Sequence, residues 1–449
     1  MGLIATDQFT IVVGLGKTGL ACARFLAKKG ASFAVLDSRE NPPGSDELRE
    51  EMPDVDLLCG EFDADFLSRA TEIILSPGVA KSHPAIQAAV AAGAKLSGDI
   101  DLFCREISAP VIAITGSNAK STVTTLVGEM AEAAGINVGV CGNIGTPVLE
   151  MLEQPEKDLY VIELSSFQLE TTNDLRAEVA TVLNISPDHM DRYDSMQDYY
   201  KAKHRIFRGA KNVVVNRDDS LTAPLLPQGV KQTAFHLGKP DLKLFGLIED
   251  QGDVWLALGL DKLIAASELK MRGRHNLANA LAALALGQAA GLPMDAMLNA
   301  LRGFTGLRHR CEWVAEHQGV TYFNDSKGTN VGATVAALNG LGGTLSEENG
   351  IVLIAGGDGK GAEFVELAEP LRNYGRALVY IGVDGERLAS QCGDINSRPA
   401  ATMDEAVVIA SQLAKSGDIV LLSPACASFD MFAGFPQRGD AFVQAVETL

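Results

Sequence analysis

The chain has 449 residues, which favours two or three domains over one core. It is 47% hydrophobic and 21% charged, with 45 glycines and no low-complexity tract, as in soluble globular proteins. Its net charge of −19 argues against non-specific binding to nucleic acid or an anionic membrane, while a local Lys/Arg cluster still accommodates an anionic substrate.

The N-terminus has neither the basic region nor the apolar run of a signal peptide, and Gly2 with Thr6 fits the short N-myristoylation formula only by chance. Phe9–Val13 predicts a strand, Gly19–Lys28 a helix, Ser32–Asp37 a second strand, and Glu72–Leu75 a further short strand ending in a Pro/Gly turn. This is βαβ architecture with a parallel sheet. Gly14-x-Gly16-x-x-Gly19 follows the first strand and Asp37 ends the second. That is the spacing of a dinucleotide fingerprint, with Asp37 placed for ribose hydroxyls; the alternative is a glycine-rich turn that binds nothing.

A second series starts near Pro110, with strands at Val111–Thr115, Val138–Cys141, Leu159–Leu164, Val179–Asn184 and Asn212–Val215 and a helix at Ser121–Ala134. Leu277–Gly291 predicts a long buried helix, too short and too polar at Asn279 and Gln288 to cross a bilayer. Between strand and helix lies TGSNAKST, Thr115–Thr122. Loop N–H groups and the helix dipole there suit phosphate oxygens, with Lys120 reaching terminal phosphates and Ser121 able to hold Mg²⁺. The usual Walker spacing is not met: Gly116 lies four residues before Lys120, and Ala119 stands where glycine is usual. Its Cβ is tolerable at negative φ and otherwise crowds the loop. Glu163 ends a buried strand, where a carboxylate is costly without a cation; Mg²⁺ or a salt bridge both satisfy it. His189, beside Asp188 and Asp191 in NISPDHMDRY, is a candidate metal ligand, with a purely structural histidine as the alternative.

A third series follows Gly306, with strands at Val320–Asn324, Gly350–Ala355, Ala377–Ile381 and Asp418–Leu422. NDSKGTN, GGDGKGAEF and SPACASFDMF each follow one of these strands, and His309–Arg310 lies at the boundary. Ligands bind outside the carboxyl ends of parallel strands, so this unit shares in a site unless the loops are plain turns. Domain boundaries are placed near residues 98 and 306. Seven widely spaced cysteines without a C-x-x-C pair read as reduced thiols of a cytoplasmic protein.

The ordered set GLGKTG (Gly14–Gly19), TGSNAKST, CGNIGTP (Cys141–Pro147), ELSSFQLE, DHMDRY, GRHNLANALAA (from Gly273), GLRHRCE (from Gly306), NDSKGTN, GGDGKGA and SPACASFDMF resembles the Mur ligase family over the whole chain. Within it, the set looks most like the members that add D-glutamate. The resemblance implies an α/β chain of three domains: a Rossmann-like domain (1–98) for a uridine nucleotide substrate, a central P-loop ATP domain (99–305) and a Rossmann-like C-terminal domain (306–449) that swings closed over ATP. It implies that ATP, UDP-N-acetylmuramoyl-L-alanine and D-glutamate give an amide, ADP and phosphate through an acyl phosphate, in peptidoglycan precursor synthesis, by a cytoplasmic monomer without nucleic-acid or membrane partners. Gly116, Ser117, Asn118, Ala119, Lys120, Ser121, Thr122, Asn279, Arg310, Asp325 and Lys327 would hold ATP. Ser121 and Glu163 would hold one Mg²⁺, and His189 a second with Lys203 as a carbamylated lysine. Lys120, His189 and Lys203 are then the catalytic set. Gly16, Lys17, Thr18, Asp37, Ser38, Arg39 and Gly78 match the uridine-nucleotide pocket, with Asn143 and His189 at its muramoyl-alanine end. Thr329, Lys360, Ser428 and Phe435 match the D-glutamate pocket. Gly328 departs from the alanine of many relatives.

A NAD-dependent dehydrogenase would explain Gly14–Gly19 and Asp37 but leaves the phosphate loop and third unit without a role. A non-catalytic nucleotide-binding regulator has no use for Glu163, His189, Lys203 or Lys360. Among related ligases, SPACASFDMF and the lack of a DNPR motif favour D-glutamate over L-alanine-adding and folate-type enzymes.

Overall fold

Strands that are apolar save for a terminal threonine, such as Val111–Thr115, must be covered on both faces, which calls for parallel sheets flanked by helices. The computed structural model contains three such sheets and describes residues 8–271 and 273–449; Gly2 and Thr6 fall outside these. The first sheet holds β1 (Thr10–Val13), β2 (Phe33–Asp37), β3 (Leu57–Cys59), β4 (Glu72–Leu75) and β5 (Lys95–Ser97) in the order β3-β2-β1-β4-β5, all parallel. Its direction of winding reverses between β1 and β4, so the loops after these two strands diverge and leave a crevice.

The second sheet holds β6 (Val111–Thr115), β7 (Val138–Gly142), β8 (Leu159–Glu163), β9 (Val179–Val182), β10 (Asn212–Asn216), β11 (Lys231–Phe235), β12 (Phe245–Asp250), β13 (Asp253–Leu258) and β14 (Asp261–Ala265). The order is β14-β13-β12-β11-β10-β9-β6-β8-β7, and only the β12-β13-β14 meander is antiparallel. The helices Lys120–Ala133 and Arg274–Ala289 share one apolar core with this sheet. Alanines on the second helix let it lie close to the first and to the sheet, and Ala280–Gly287 are all buried. It starts three residues before the expected Leu277 and ends two before Gly291.

The third sheet holds β15 (Glu312–His317), β16 (Val320–Asn324), β17 (Ile351–Gly356), β18 (Gly375–Ile381), β19 (Ser397–Pro399) and β20 (Ile419–Leu422) in the order β15-β16-β20-β17-β18-β19. Only β15 runs antiparallel to its neighbour. The loops after β16, β20 and β17 therefore sit side by side, with Asn324 and Ile354 both in register with Leu422. No helix among the described residues is long and apolar enough to cross a membrane.

Candidate active site

Central β6 carries the phosphate loop at its carboxyl end. Glu163 on β8 pairs with Ile114, and Val182 on β9 pairs with Thr115, so both neighbouring strands deliver their ends to the loop. β9 stops at Val182, two residues before the expected Asn184, because the following backbone turns to hold the loop. The Asn184 carbonyl accepts from Ser117 N–H (2.9 Å) and its side chain accepts from Asn118 N–H (2.8 Å). Ser117 Oγ donates to the Ser186 carbonyl (2.9 Å) and contacts Tyr199 OH (3.0 Å). These bonds fix the loop before any ligand arrives.

Ala119 caps the helix Lys120–Ala133 at φ 65°, the left-handed region, so the condition of negative φ is not met. Its neighbours hold it there at a cost of about 1–2 kcal/mol. Lys120 folds back, its Nζ donating to the carbonyls of Gly116 (2.8 Å) and Ser117 (3.0 Å). Lys203 Nζ donates to the same Gly116 carbonyl (2.8 Å) and lies over the Tyr199 ring. Burial pushes Lys203 well below the ordinary lysine range, and the Lys120 charge adds to this. Burial also lowers Lys120, although Glu163 and Asp188 oppose it.

Glu163 is buried, and its Oε1 accepts from Asn143 Nδ2 (2.8 Å). Its Oε2 is buried without a hydrogen-bond partner. An orphaned carboxylate oxygen beside a phosphate loop fits a hard cation with oxygen ligands such as Mg²⁺. Ser121 adds a hydroxyl at the helix start, now accepting from Arg310 Nη2 (2.5 Å). No group of three or more His, Cys, Asp or Glu side chains that could hold a metal occurs among the described residues. His189 sits at φ 57° with its Nε2 3.6 Å from Asp188 and its ring against Phe167; burial lowers its pKa.

Three side chains of the C-terminal unit reach across to the central unit here. Arg310 reaches Ser121, Asn330 Nδ2 donates to Asn118 Oδ1 (3.1 Å) and Asp188 (3.3 Å), and Lys360 Nζ lies 3.4 Å from Asp188. Asp188 is thus the acceptor at which loops after β16 and β17 meet the central unit. Asp325, buried, accepts from Ser423 Oγ (2.7 Å) and Cys311 N–H (3.2 Å); burial pushes its carboxyl up to about 7. Lys327 lies over the Phe435 ring, and burial with the Arg310 charge lowers its ammonium to about 8. An added Cβ at Gly328 would lie 2.5 Å from Asp325 Oδ2, so the glycine makes room for that carboxylate. Ser428 is buried, Thr329 half-buried, and the Phe435 carbonyl accepts from Ser326 Oγ. Asn279 stands on the helix Arg274–Ala289 and donates to Asn276 (3.0 Å).

In the first sheet, Gly14 takes φ 94°, and a Cβ on Gly19 would lie 1.8 Å from the Gly14 carbonyl, so both positions demand glycine. A Cβ on Gly16 or Gly78 would meet nothing within 4 Å, which leaves open space at the crevice. Asp37 is not free for a ribose. Its Oδ1 accepts from Arg39 N–H and Nε, and its Oδ2 from Leu15 N–H (2.6 Å) and Arg39 Nη2 (2.6 Å). Four donors fill its lone pairs and hold its pKa down against burial. Asp37 therefore fixes the Arg39 guanidinium, which stays half exposed.

Sequence reasoning missed Asn184, Tyr199, Asn330 and Arg438 and gave Asp188 no role. Arg438 is fully buried and donates to the carbonyls of Ser326, Cys426 and Ala427, which clamps the loop after β16 to the loop after β20. The only available signal was position: Asn184 at a strand end and Asn330 inside NDSKGTN.

Three domain descriptions match: Mur ligase MurD-like N-terminal domain over residues 8–98, Mur ligase middle domain over 114–287, and Mur ligase glutamate ligase domain over 309–426. The chain belongs to the Mur ligase family. Relatives named UDP-N-acetylmuramoylalanine--D-glutamate ligase are 59% identical in Pseudomonas aeruginosa and 58% identical in Pseudomonas savastanoi pv. phaseolicola, each covering 100% of both chains. Solved Mur ligase folds are similar at low identity. A pseudomurein peptide ligase type C from Methanothermus fervidus has a TM-score of 0.60 at 19% identity over 98% of this chain and 100% of its own. MurF from Acinetobacter baumannii has 0.61 at 16% identity over 98% and 92%. The three-domain α/β architecture is that of Mur ligases.

Proposed function

We propose that this chain is an ATP-dependent ligase that joins D-glutamate to UDP-N-acetylmuramoyl-L-alanine in peptidoglycan precursor synthesis. The observation that carries the reading is the meeting of two units at one phosphate loop, with Arg310 on Ser121 and Lys360 on Asp188 beside the orphaned Glu163 oxygen. The identity of the amino acid rests on the name of the full-length relatives.

A carboxylate resists attack by an amine because its negative charge is delocalised and its leaving group is poor. Transfer of the γ-phosphoryl group of ATP to the alanyl carboxylate breaks the bond to ADP and makes an acyl phosphate. The free amine of D-glutamate then attacks the carbonyl; the tetrahedral adduct expels phosphate, and the amine loses a proton. Two anions must approach first, so Lys120, Arg310 and Lys327 offset their repulsion in a site of low dielectric. Asn279 and Asp325 serve the rest of ATP. The crevice of the first sheet takes the uridine nucleotide at Gly16, Lys17, Thr18, Ser38 and Gly78, with Arg39 held by Asp37, and Asn143 and His189 stand at its far end. Thr329, Lys360, Ser428 and Phe435 receive D-glutamate, with Lys360 as the cationic partner of a carboxylate.

Ser121 and Glu163 would hold one Mg²⁺ and His189 a second, supplying charge neutralisation for the phosphates. Lys203 as an ammonium has only N–H donors and no lone pair, so it cannot be a ligand in that form. Its burial favours the neutral amine, which adds to CO₂ and releases a proton to give an anionic carbamate; mass spectrometry under CO₂ reads this as a gain on Lys203. The free cysteines suit a reducing cytoplasm, and the protein is read as a monomer.

Phosphate release is measured with ATP, the uridine nucleotide and a panel of amino acids. D-Glutamate is expected to give the signal. Signal from L-alanine in its place overturns the specificity, and no nucleotide-dependent ADP release overturns the ligase.

A further inference from the structure

A second cavity, of about 550 Å³, lies between the 80–82 loop of the first unit and the helix Met196–His204 of the second. Lys203 points from this helix into the phosphate loop, whereas Tyr200, Lys201 and His204 line the cavity. Five cations line it against three carboxylates, in a protein of net charge −19. Four of these eight charges are already paired. Arg192 pairs with Glu170 (3.2 Å) and Lys201 with Asp198 (3.7 Å). Arg205 donates to the carbonyls of Leu169 and Thr172 and to Asn173 Oδ1, which orients its guanidinium; it makes no ion pair among the described residues, and Asp101 and Glu170 attract it only at longer range.

Lys81 and Arg208 are different. Neither side chain has a hydrogen-bond or ion-pair partner among the described residues. Lys81 is half-buried, and its ammonium is lowered by burial first; Glu170 opposes this, while Arg205, Arg208 and Arg192 repel it further. Bringing five cations to one cleft against three carboxylates, two of them already in ion pairs, costs free energy that Glu170 offsets only in part. The exposed Asp194 is the only remaining carboxylate.

We propose that this cleft binds a phosphate-type dianion, free or carried on a small metabolite, between Lys81, Arg205 and Arg208. Lys81 comes from the first unit and the two arginines from the second, so the anion bridges the units at a site separate from the phosphate loop.

The phosphate loop also takes phosphates, so the test is run on Lys120→Ala and repeated on the unaltered chain saturated with ADP. Calorimetric titration without Mg²⁺ uses inorganic pyrophosphate as the free anion and glycerol 3-phosphate as the ester. Binding is expected to persist in both backgrounds and to weaken at least ten-fold on adding Lys81→Gln with Arg208→Gln. Pyrophosphate binding more tightly assigns a free anion; the ester binding more tightly assigns a phosphorylated metabolite. No uptake in either background, or equal uptake after both substitutions, overturns the site.

Discussion

Glu163→Gln separates a cation-holding role from a structural one. The side chain is 2% exposed, with one oxygen on Asn143 and the other without a partner. Glutamine keeps the shape and the bond from Asn143. It removes a charge whose burial is uncompensated at one oxygen but which also attracts Lys120 and Arg310. These effects oppose each other, so the metal-free protein is expected to change stability by no more than about 1 kcal/mol. If Glu163 were instead one half of a structural buried ion pair, its loss would cost about 3–5 kcal/mol. ADP with Mg²⁺ at about 100 times its dissociation constant stabilises a binding protein by about 2.7 kcal/mol. That increment is expected to disappear in the variant, and turnover to fall about a thousand-fold, which corresponds to about 4 kcal/mol of lost charge stabilisation. Trp255 lies on β13 of the same sheet and Trp313 on β15 of the third, so urea unfolding followed by fluorescence in a Trp313→Phe background, with and without the ligand, reports on this unit. A variant that loses 3 kcal/mol without metal yet keeps its Mg²⁺-dependent stabilisation refutes the reasoning.

Gly19→Ala sets a Cβ 1.8 Å from a backbone oxygen and is expected to destabilise the first unit by about 3 kcal/mol, read as a lower thermal midpoint with weaker uridine-nucleotide binding. Burial pushes the Asp325 carboxyl up to about 7 in the folded chain, against 3.8 for a free aspartate. The folded state then holds a proton that the unfolded chain releases, so stability falls as pH rises from about 4 to 7, by about 4 kcal/mol; urea midpoints of Asp325→Asn across this window should lack that slope. Lys360→Ala is expected to raise KM for D-glutamate at least ten-fold while leaving KM for ATP within about two-fold, measured by phosphate release. Small-angle scattering should show compaction when an ATP analogue and the uridine nucleotide bind together, and an unchanged radius of gyration counts against closure.

Much of the framework was legible because buried parallel strands are short apolar runs. Glu72–Leu75, Val111–Thr115 and Val320–Asn324 fall where their composition places them. The meander Phe245–Ala265 was not read, since Glu249, Asp250, Asp253 and Lys262 break its strands and only Val254–Leu258 forms a continuous apolar run. The phosphate loop was readable as strand, polar turn and helix. Its backbone was not, because left-handed Ala119 is set by the bonds from Asn184 rather than by its own preference. Asp188 and Asn330 are 142 positions apart, and no local pattern announces such a contact. Asp37 was recognised by its strand-end position, but its use depends on Arg39 curling back two residues to occupy it.

One carbonyl, that of Gly116, accepts both Lys120 and Lys203. It serves as a resting berth. With the berth filled, the loop's inward-facing oxygen is quiet and the two lysines are held apart from the carboxylates around them. Under the proposed reaction, arrival of a triphosphate would be an exchange in which Lys120 trades a carbonyl for a phosphate. On that reading a weak anion would give too little in return to draw Lys120 from its two carbonyls, and the loop would favour multiply charged ligands before any contact with the adenine.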